Sequence, residues 1–267
     1  MGQDPAEKRP SASMIVVGNE ILLGRTRDTN TLMAIEMLRK RGVGISRWVV
    51  VRDDKNEIKG EVRHVLGSGC ELVIVSGGMG PTHDDVTVEA VAAAFDLDMR
   101  FCPDCFSRMR RKWSVRNPGR DMPGTSERGL KKMATIPEGF LPMENKAGMA
   151  EGLYMRFDGG RRAVAILPGV PAEYRSVLEN PIFLECLPPG TGGGISVFEV
   201  RYHGRESEIA EELERLQRRH PRVEIGSYPR GRLDVLIRMT GDEKEVRKAR
   251  SELESMVKSV KRVHSGD

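Results

Sequence analysis

The chain is short of cysteine, of aromatic side chains, of long apolar runs and of charge imbalance, and each shortage closes off a class of function. Its four cysteines are Cys70, Cys102, Cys105 and Cys186. Cys102-Pro103-Asp104-Cys105 has C-x-x-C spacing, but no second C-x-x-C or histidine pair follows to complete a zinc site. The segment does not read as the strand-then-helix junction of a redox motif, so all four are expected as free thiols. No run approaches the roughly 20 apolar residues that span a membrane, and the polar stretch Met1 to Ser13 has no signal-peptide core. The expectation is a cytoplasmic protein with a disordered tail over residues 1–13. Basic residues number 43 against 39 acidic ones, a net charge of +4, too small an excess to argue for nucleic acid. A local basic cluster, Arg108, Arg110, Arg111, Lys112, Arg116 and Arg120, reads as a solvated helix face, with an anionic ligand or acidic partner as the alternative. What remains, 39% hydrophobic and 31% charged residues over 267 positions, is the make-up of a globular protein with one large domain or a medium and a small one.

Against that background one stretch stands out, Ser76-Gly77-Gly78-Met79-Gly80-Pro81-Thr82-His83-Asp84-Asp85. It follows the apolar run Leu72 to Val75, a buried strand, and precedes Val86 to Phe95, a helix. Glycines let backbone N–H groups approach an anion closely, and a helix start adds unpaired N–H groups and partial positive charge. Two adjacent carboxylates beside a phosphate repel it unless a cation intervenes, which points to a divalent metal such as Mg²⁺. Helix capping offers a purely structural account, with Thr82 as N-cap and Asp85 as its partner three residues on. Capping explains Thr82 and one aspartate and leaves the three glycines unexplained.

The first 95 residues alternate strand and helix: a strand over 14–17, a helix from Asp28-Thr29-Asn30 to Gly42, a strand over 45–51, a helix over about 56–66, then the Leu72 strand. This rhythm belongs to a parallel sheet with helices packed on it, whose ligands bind at the carboxyl ends of the strands. Gly18-Asn19-Glu20, Arg52-Asp53-Asp54 and the glycine loop each follow a strand and so share one rim. Residues 96–145 read as less regular. A hairpin is expected from 153–157 and 162–167 and a short helix from Pro171 to about Leu178. Residues 188–194 read as a Pro/Gly-rich linker, and 195–262 as a small β-α-β-β-α unit that lacks a GxxG loop and an aromatic platform for RNA. The fold class is therefore α/β, a three-layer domain over 14–187 with a mostly parallel sheet, followed by a small α+β domain.

The glycine loop resembles the GGxGPTxDD loop of the molybdopterin-binding-like domain of the CinA family (competence/damage-inducible protein A). Gly18-Asn19-Glu20-Ile21-Leu22-Leu23-Gly24 with Asp28-Thr29-Asn30 matches that family's GNELLxG…xTN opening, Arg52-Asp53-Asp54 its second-strand motif, and Leu167-Pro168-Gly169-Val170-Pro171-Ala172-Glu173 its LPGVPxE segment. Met79 replaces the usual Leu. Ala147-Gly148-Met149-Ala150-Glu151-Gly152 stands where the family prefers a GTAPG-like loop, with Glu151 in place of Pro.

The resemblance implies a fold shared with the molybdenum-cofactor proteins MogA and MoaB, binding of a pterin or nucleotide diphosphate, and metal-dependent pyrophosphatase activity of the kind known for ADP-ribose, or FAD hydrolysis as in a related domain of FAD synthases. It also implies self-association as a dimer or trimer. The C-terminal deamidase domain of full CinA proteins is not expected in this sequence. On this reading Asp84 and Asp85 are catalytic, and Asp53, Asp84 and Asp85 hold a divalent metal, with K⁺ as a second candidate ion. Gly18, Asn19, Glu20, Asn30, Gly77, Gly78, Gly80, Thr82 and Lys146 bind a small phosphorylated ligand, and His83 is a candidate acid or base. The alternatives are a protein that binds or adenylates molybdopterin, and a nucleotide-binding module without catalysis. No membrane or nucleic-acid partner is expected.

Overall fold

A computed structural model of the chain describes residues 10–188, 195–257 and, for the backbone alone, 260–262. These fall into two compact units. The first runs through β1 (Ser11–Val17), α1 (Asn19–Leu22), α2 (Asn30–Lys40), β2 (Gly44–Val51), α3 (Lys55–Gly67), β3 (Leu72–Ser76), α4 (Thr87–Ala94), β4 (Met99–Phe101), α5 (Pro103–Arg116), α6 (Gly124–Met133), β5 (Thr135–Pro137), β6 (Leu141–Met143), β7 (Gly152–Phe157), β8 (Arg162–Leu167), α7 (Pro171–Leu178) and α8 (Pro181–Leu184).

Six of these strands form one sheet in the order β2-β1-β3-β8-β7-β6. β2, β1, β3 and β8 run parallel, while β7 and β6 are antiparallel to their neighbours. The central strands are apolar at almost every position because both faces are covered. Met14, Ile74 and Ala165 point to one side, where they meet Ala34 and Leu38 of α2 and Tyr174 and Val177 of α7. Ile15, Val73, Val75 and Val164 point to the other, against Ile58 and Val62 of α3 and Ala90 and Val91 of α4. Burying each valine, leucine, isoleucine or methionine among them stabilises the sandwich by about 1.5–3 kcal/mol. This is the expected three-layer α/β architecture.

The second unit contains β9 (Ile195–Tyr202), α9 (Glu206–Arg219), β10 (Val223–Gly231), β11 (Asp234–Asp242), α10 (Glu243–Met256) and β12 (Val260–Arg262), with sheet order β10-β11-β9-β12. Ile209, Leu213 and Leu216 of α9 and Val246, Ala249 and Leu253 of α10 pack on one face of this antiparallel sheet. Positions 189–194, most of the expected linker, lie outside the described residues. No described helix is long and apolar enough to cross a membrane.

Three expectations need correction. Ser11 to Ser13, read as part of a disordered tail, open β1: Ser11 pairs in parallel with β2, and Ala12 and Ser13 pair with both β2 and β3. The stretch after residue 96 is regular, holding the 14-residue α5 and the 10-residue α6. Cys102 does sit at a strand-to-helix junction: β4 ends at Phe101, Cys102 is the N-cap of α5, and Pro103 occupies the first helical position.

Candidate active site

Four strands of the first unit end side by side, and their loops are tied to one another. The amide of Gly18, after β1, donates to Val51 O at the end of β2 at 3.2 Å. The amide of Gly77, after β3, donates to Leu167 O at the end of β8 at 3.1 Å. Gly77 and Gly78 have φ of 99° and 60°, the left-handed region that favours glycine. A Cβ on Gly77 would run into the Val17 carbonyl oxygen, and one on Gly78 into the Thr87 hydroxyl. Only glycine lets the loop turn this tightly between β1 and the start of α4. The turn leaves the amides of Gly78, Met79 and Gly80 without an acceptor among the described residues. Successive free amides in such a turn form an anion-binding concavity.

These loops wall a cavity of about 910 Å³. Glu20, Asn30, Asp53, Gly77, Gly78, Gly80, Asp84 and Asp85 all line it, so the expected convergence of distant carboxylates is present. Gly18, Asn19, Thr82 and Lys146 do not line it. Asn19 is exposed, and its amide donates to Asp53 Oδ2 at 2.8 Å. Lys146 is exposed, and its amide donates to Ser176 Oγ at 2.9 Å. His83 is exposed and does not line the cavity.

The two aspartates of the loop are not equivalent. The Thr82 amide donates to Asp85 Oδ2 at 2.9 Å and the Thr82 hydroxyl donates to the same oxygen, while the Asp85 amide returns a bond to Thr82 O at 3.3 Å. Only half of the anticipated capping box forms, Asp85 accepting the Thr82 amide while the Thr82 hydroxyl accepts nothing from Asp85, and it closes a separate turn: α4 begins at Thr87 with Val86 as N-cap and no side-chain cap. The Lys132 ammonium of α6 donates to the carbonyls of Thr82 and Asp85 and clamps that turn. Asp85 is thus occupied structurally. Asp84 is fully exposed, and the Thr82 side chain and its own amide, with His83 and Lys132 nearby, hold its carboxyl below the usual carboxylate range.

Among the described residues no three His, Cys, Asp or Glu side chains gather closely enough to cage a metal. The expected set of Asp53, Asp84 and Asp85 is therefore not a preformed triad, because Asp85 is turned onto Thr82. The donors fit a different arrangement. Mg²⁺ commonly takes one or two carboxylates and fills its remaining positions with water and ligand phosphates. Asp53 and Asp84, which carry hard carboxylate oxygens, line the same cavity as Gly78, Met79 and Gly80.

Several residues of the wall were not anticipated as functional. Glu173, in the first turn of α7, lines the cavity, and burial raises its carboxyl above the usual range against the opposing hydrogen bond from Asn145. Asn30 Nδ2 donates to Gly169 O at 2.7 Å, while Asn30 Oδ1 and Asp28 Oδ2 are buried without a partner. Trp113, Leu130, Met133 and Met149 supply an apolar side. The basic cluster is not simply a solvated face. Arg108 and Lys112 each approach Glu151 Oε1 at 3.3 Å, and Arg116 donates to Ala147 O at 3.1 Å. Spaced four apart on α5, the three share one stripe and staple the 145–151 loop. Glu151 Oε2 accepts the Asn145 amide at 3.2 Å, so the acid that departs from the family pattern is the staple's anchor.

Residues 13–185 match a family model described as a probable molybdopterin binding domain, and residues 196–265 match one described as the middle domain of FAD synthase. A protein of Aeropyrum pernix is 36% identical over 265 residues, covering 96% of this chain and 94% of its own. One from Thermococcus kodakarensis is 34% identical over 250 residues, covering 91% and 96%. Among solved structures, the protein CinA, of unknown function, from Thermoplasma acidophilum aligns with a TM-score of 0.57 and 38% identity, over 64% of this chain and 95% of that one.

Proposed function

The chain belongs to the molybdopterin-binding-domain family and is CinA-like over that domain, and from that premise we propose that it hydrolyses the pyrophosphate bond of a nucleotide such as ADP-ribose or FAD with the help of a divalent cation. One observation carries the reading: Gly78, Met79 and Gly80, whose amides have no acceptor among the described residues, line the same cavity as Asp53 and Asp84. Amides alone would suit any anion. Carboxylates alone would suit a cation. Side by side they suit a phosphorylated ligand that brings its cation with it.

Each residue's part follows from its place. The amides of Gly78, Met79 and Gly80 bind phosphate oxygens. Asp84, kept ionised by its surroundings, and Asp53, held in place by the Asn19 amide, would hold the cation. When bound, the cation polarises a phosphoryl oxygen and acidifies a water. Glu173, which lines the same cavity and whose carboxyl burial raises, would serve as a proton acceptor there. The apolar side formed by Trp113, Leu130 and Met149 offers a surface for a planar base. The second family match, to a domain of FAD synthase, favours a dinucleotide.

A molybdopterin ligand bound without hydrolysis is the second reading, favoured by the description of the matching family. Purified protein, Mg²⁺ and either ADP-ribose or FAD decide between them by chromatography. The hydrolytic reading expects AMP from both. Wild type that yields none from either, while retaining a pterin on purification, sides with the second.

A further inference from the structure

The geometry points to a reversible disulfide between Cys102 and Cys105, which would make the start of α5 a thiol–disulfide site. Cys102 is the N-cap of a 14-residue helix, and its sulfur accepts the Cys105 amide at 3.3 Å. Cys105 follows three residues later, in the same first turn of α5. Residues three apart at a helix start share one side, and the amide bond holds the Cys102 sulfur against the backbone of Cys105. Cys102 is half-buried, whereas Cys105 is fully buried. Pro103 fixes the backbone between them in helical geometry, so little chain entropy is lost on closing the ring. Cys70 and Cys186 are buried in the two cores flanking the sheet and stand apart from this pair.

Exposure sets the order of the exchange. The Cys102 thiolate attacks one sulfur of a small disulfide such as oxidised glutathione, forming a mixed disulfide and releasing one glutathione thiolate. Cys105 then loses its proton to solvent and attacks Cys102 Sγ. The Cys102–Cys105 bond forms and the second glutathione leaves. Two protein thiols are oxidised by two electrons, one external disulfide is reduced to two thiols, and the two protons lost from the protein balance those gained by glutathione. Burial pushes the Cys105 thiol up to about 12, which suits the later of the two roles.

The site bears on the cavity through packing. Cys105 shares an apolar cluster with Leu130, against which Trp113, Met133 and Met149 pack. Arg108, which holds Glu151, also donates to Cys105 Sγ at 3.6 Å. None of this depends on the hydrolytic reading.

The test is the full chain equilibrated natively across ratios of reduced to oxidised glutathione, quenched in acid, alkylated and digested with trypsin. Phe101 to Arg108 is a single tryptic peptide carrying both cysteines. The expected result is that this peptide loses two hydrogens as the ratio becomes oxidising and regains them with dithiothreitol, while Cys70 and Cys186 alkylate throughout. In Cys105→Ala, glutathione stays on Cys102; in Cys102→Ser, no adduct forms on Cys105. Two outcomes would overturn the proposal: both thiols of the wild type alkylating fully at the most oxidising ratio, or glutathione persisting on Cys102 of the wild type.

Discussion

Removing the carboxylate of Glu151 tests the staple that holds the second loop against the cavity. Glu151 is 3% exposed and faces the Arg108 guanidinium and the Lys112 ammonium, each 3.3 Å from Oε1. Glu151→Ala leaves two cations facing each other and orphans the Asn145 amide. Breaking a fully buried pair costs about 3–5 kcal/mol. Arg108 and Lys112 retain 27% and 19% exposure, so water relieves part of the penalty and the expected loss is ~2–4 kcal/mol. At ~2–4 °C per kcal/mol for a unit of this size, the melting temperature should fall by roughly 5–15 °C in calorimetry. Glu151→Gln, which still offers an oxygen to Asn145, should lose less. Adding Lys112→Met to Glu151→Ala should recover part of the loss, because it removes one stranded charge. A Glu151→Ala change of less than about 0.5 kcal/mol, the range of ordinary surface substitutions, would refute the buried staple.

Three further outcomes follow from the same geometry. Gly77→Ala should destabilise the first unit by more than ~2 kcal/mol in urea denaturation, since it adds a left-handed backbone cost of about 1–2 kcal/mol to a collision with Val17 O; an unchanged midpoint would contradict the loop geometry. Glu173 has its carboxyl raised from 4.5 by burial, so the folded state binds its proton more tightly and stability falls as pH rises from about that value through the folded value. Glu173→Gln should therefore be more stable than wild type above that window and equal to it below, and a pH-independent difference would count against the assignment. Asp84→Ala should lower kcat on ADP-ribose by about a hundredfold or more, equivalent to ~2.7 kcal/mol, with unchanged melting because the side chain is fully exposed; turnover within a few-fold of wild type would remove Asp84 from the machinery.

The sequence carried most of the central sheet because β1, β3 and β8 are apolar on both faces, a pattern visible without any tertiary knowledge. The convergence of Glu20, Asp53 and the glycine loop was legible for a related reason: parallel strands put their carboxyl ends on one rim. α5 was legible only as a basic helix face, without its bounds or its buried side, and α6 was not legible. Their buried positions are few, Cys105 and Met109 in one and Leu130 in the other, so the helical stripe is lost among charges. Asp84 and Asp85 looked alike because their difference depends on the Thr82 turn and the Lys132 clamp, and Lys132 lies 47 residues from Asp85. Glu151 read as a departure from a loop pattern; its partners Arg108 and Lys112 are 43 and 39 residues away. Glu173 closes the LPGVPxE segment, and that motif was the available signal for it, but its burial depends on Asn145 and the folded loop.

A crystal structure of the protein with Mg²⁺ and a non-hydrolysable ADP-ribose analogue is the most direct measurement. The account predicts pyrophosphate oxygens within hydrogen-bonding distance of the Gly78, Met79 and Gly80 amides, with Asp84 or Asp53 as the residue that would hold the cation. An analogue bound elsewhere, with those amides facing only water, would contradict it.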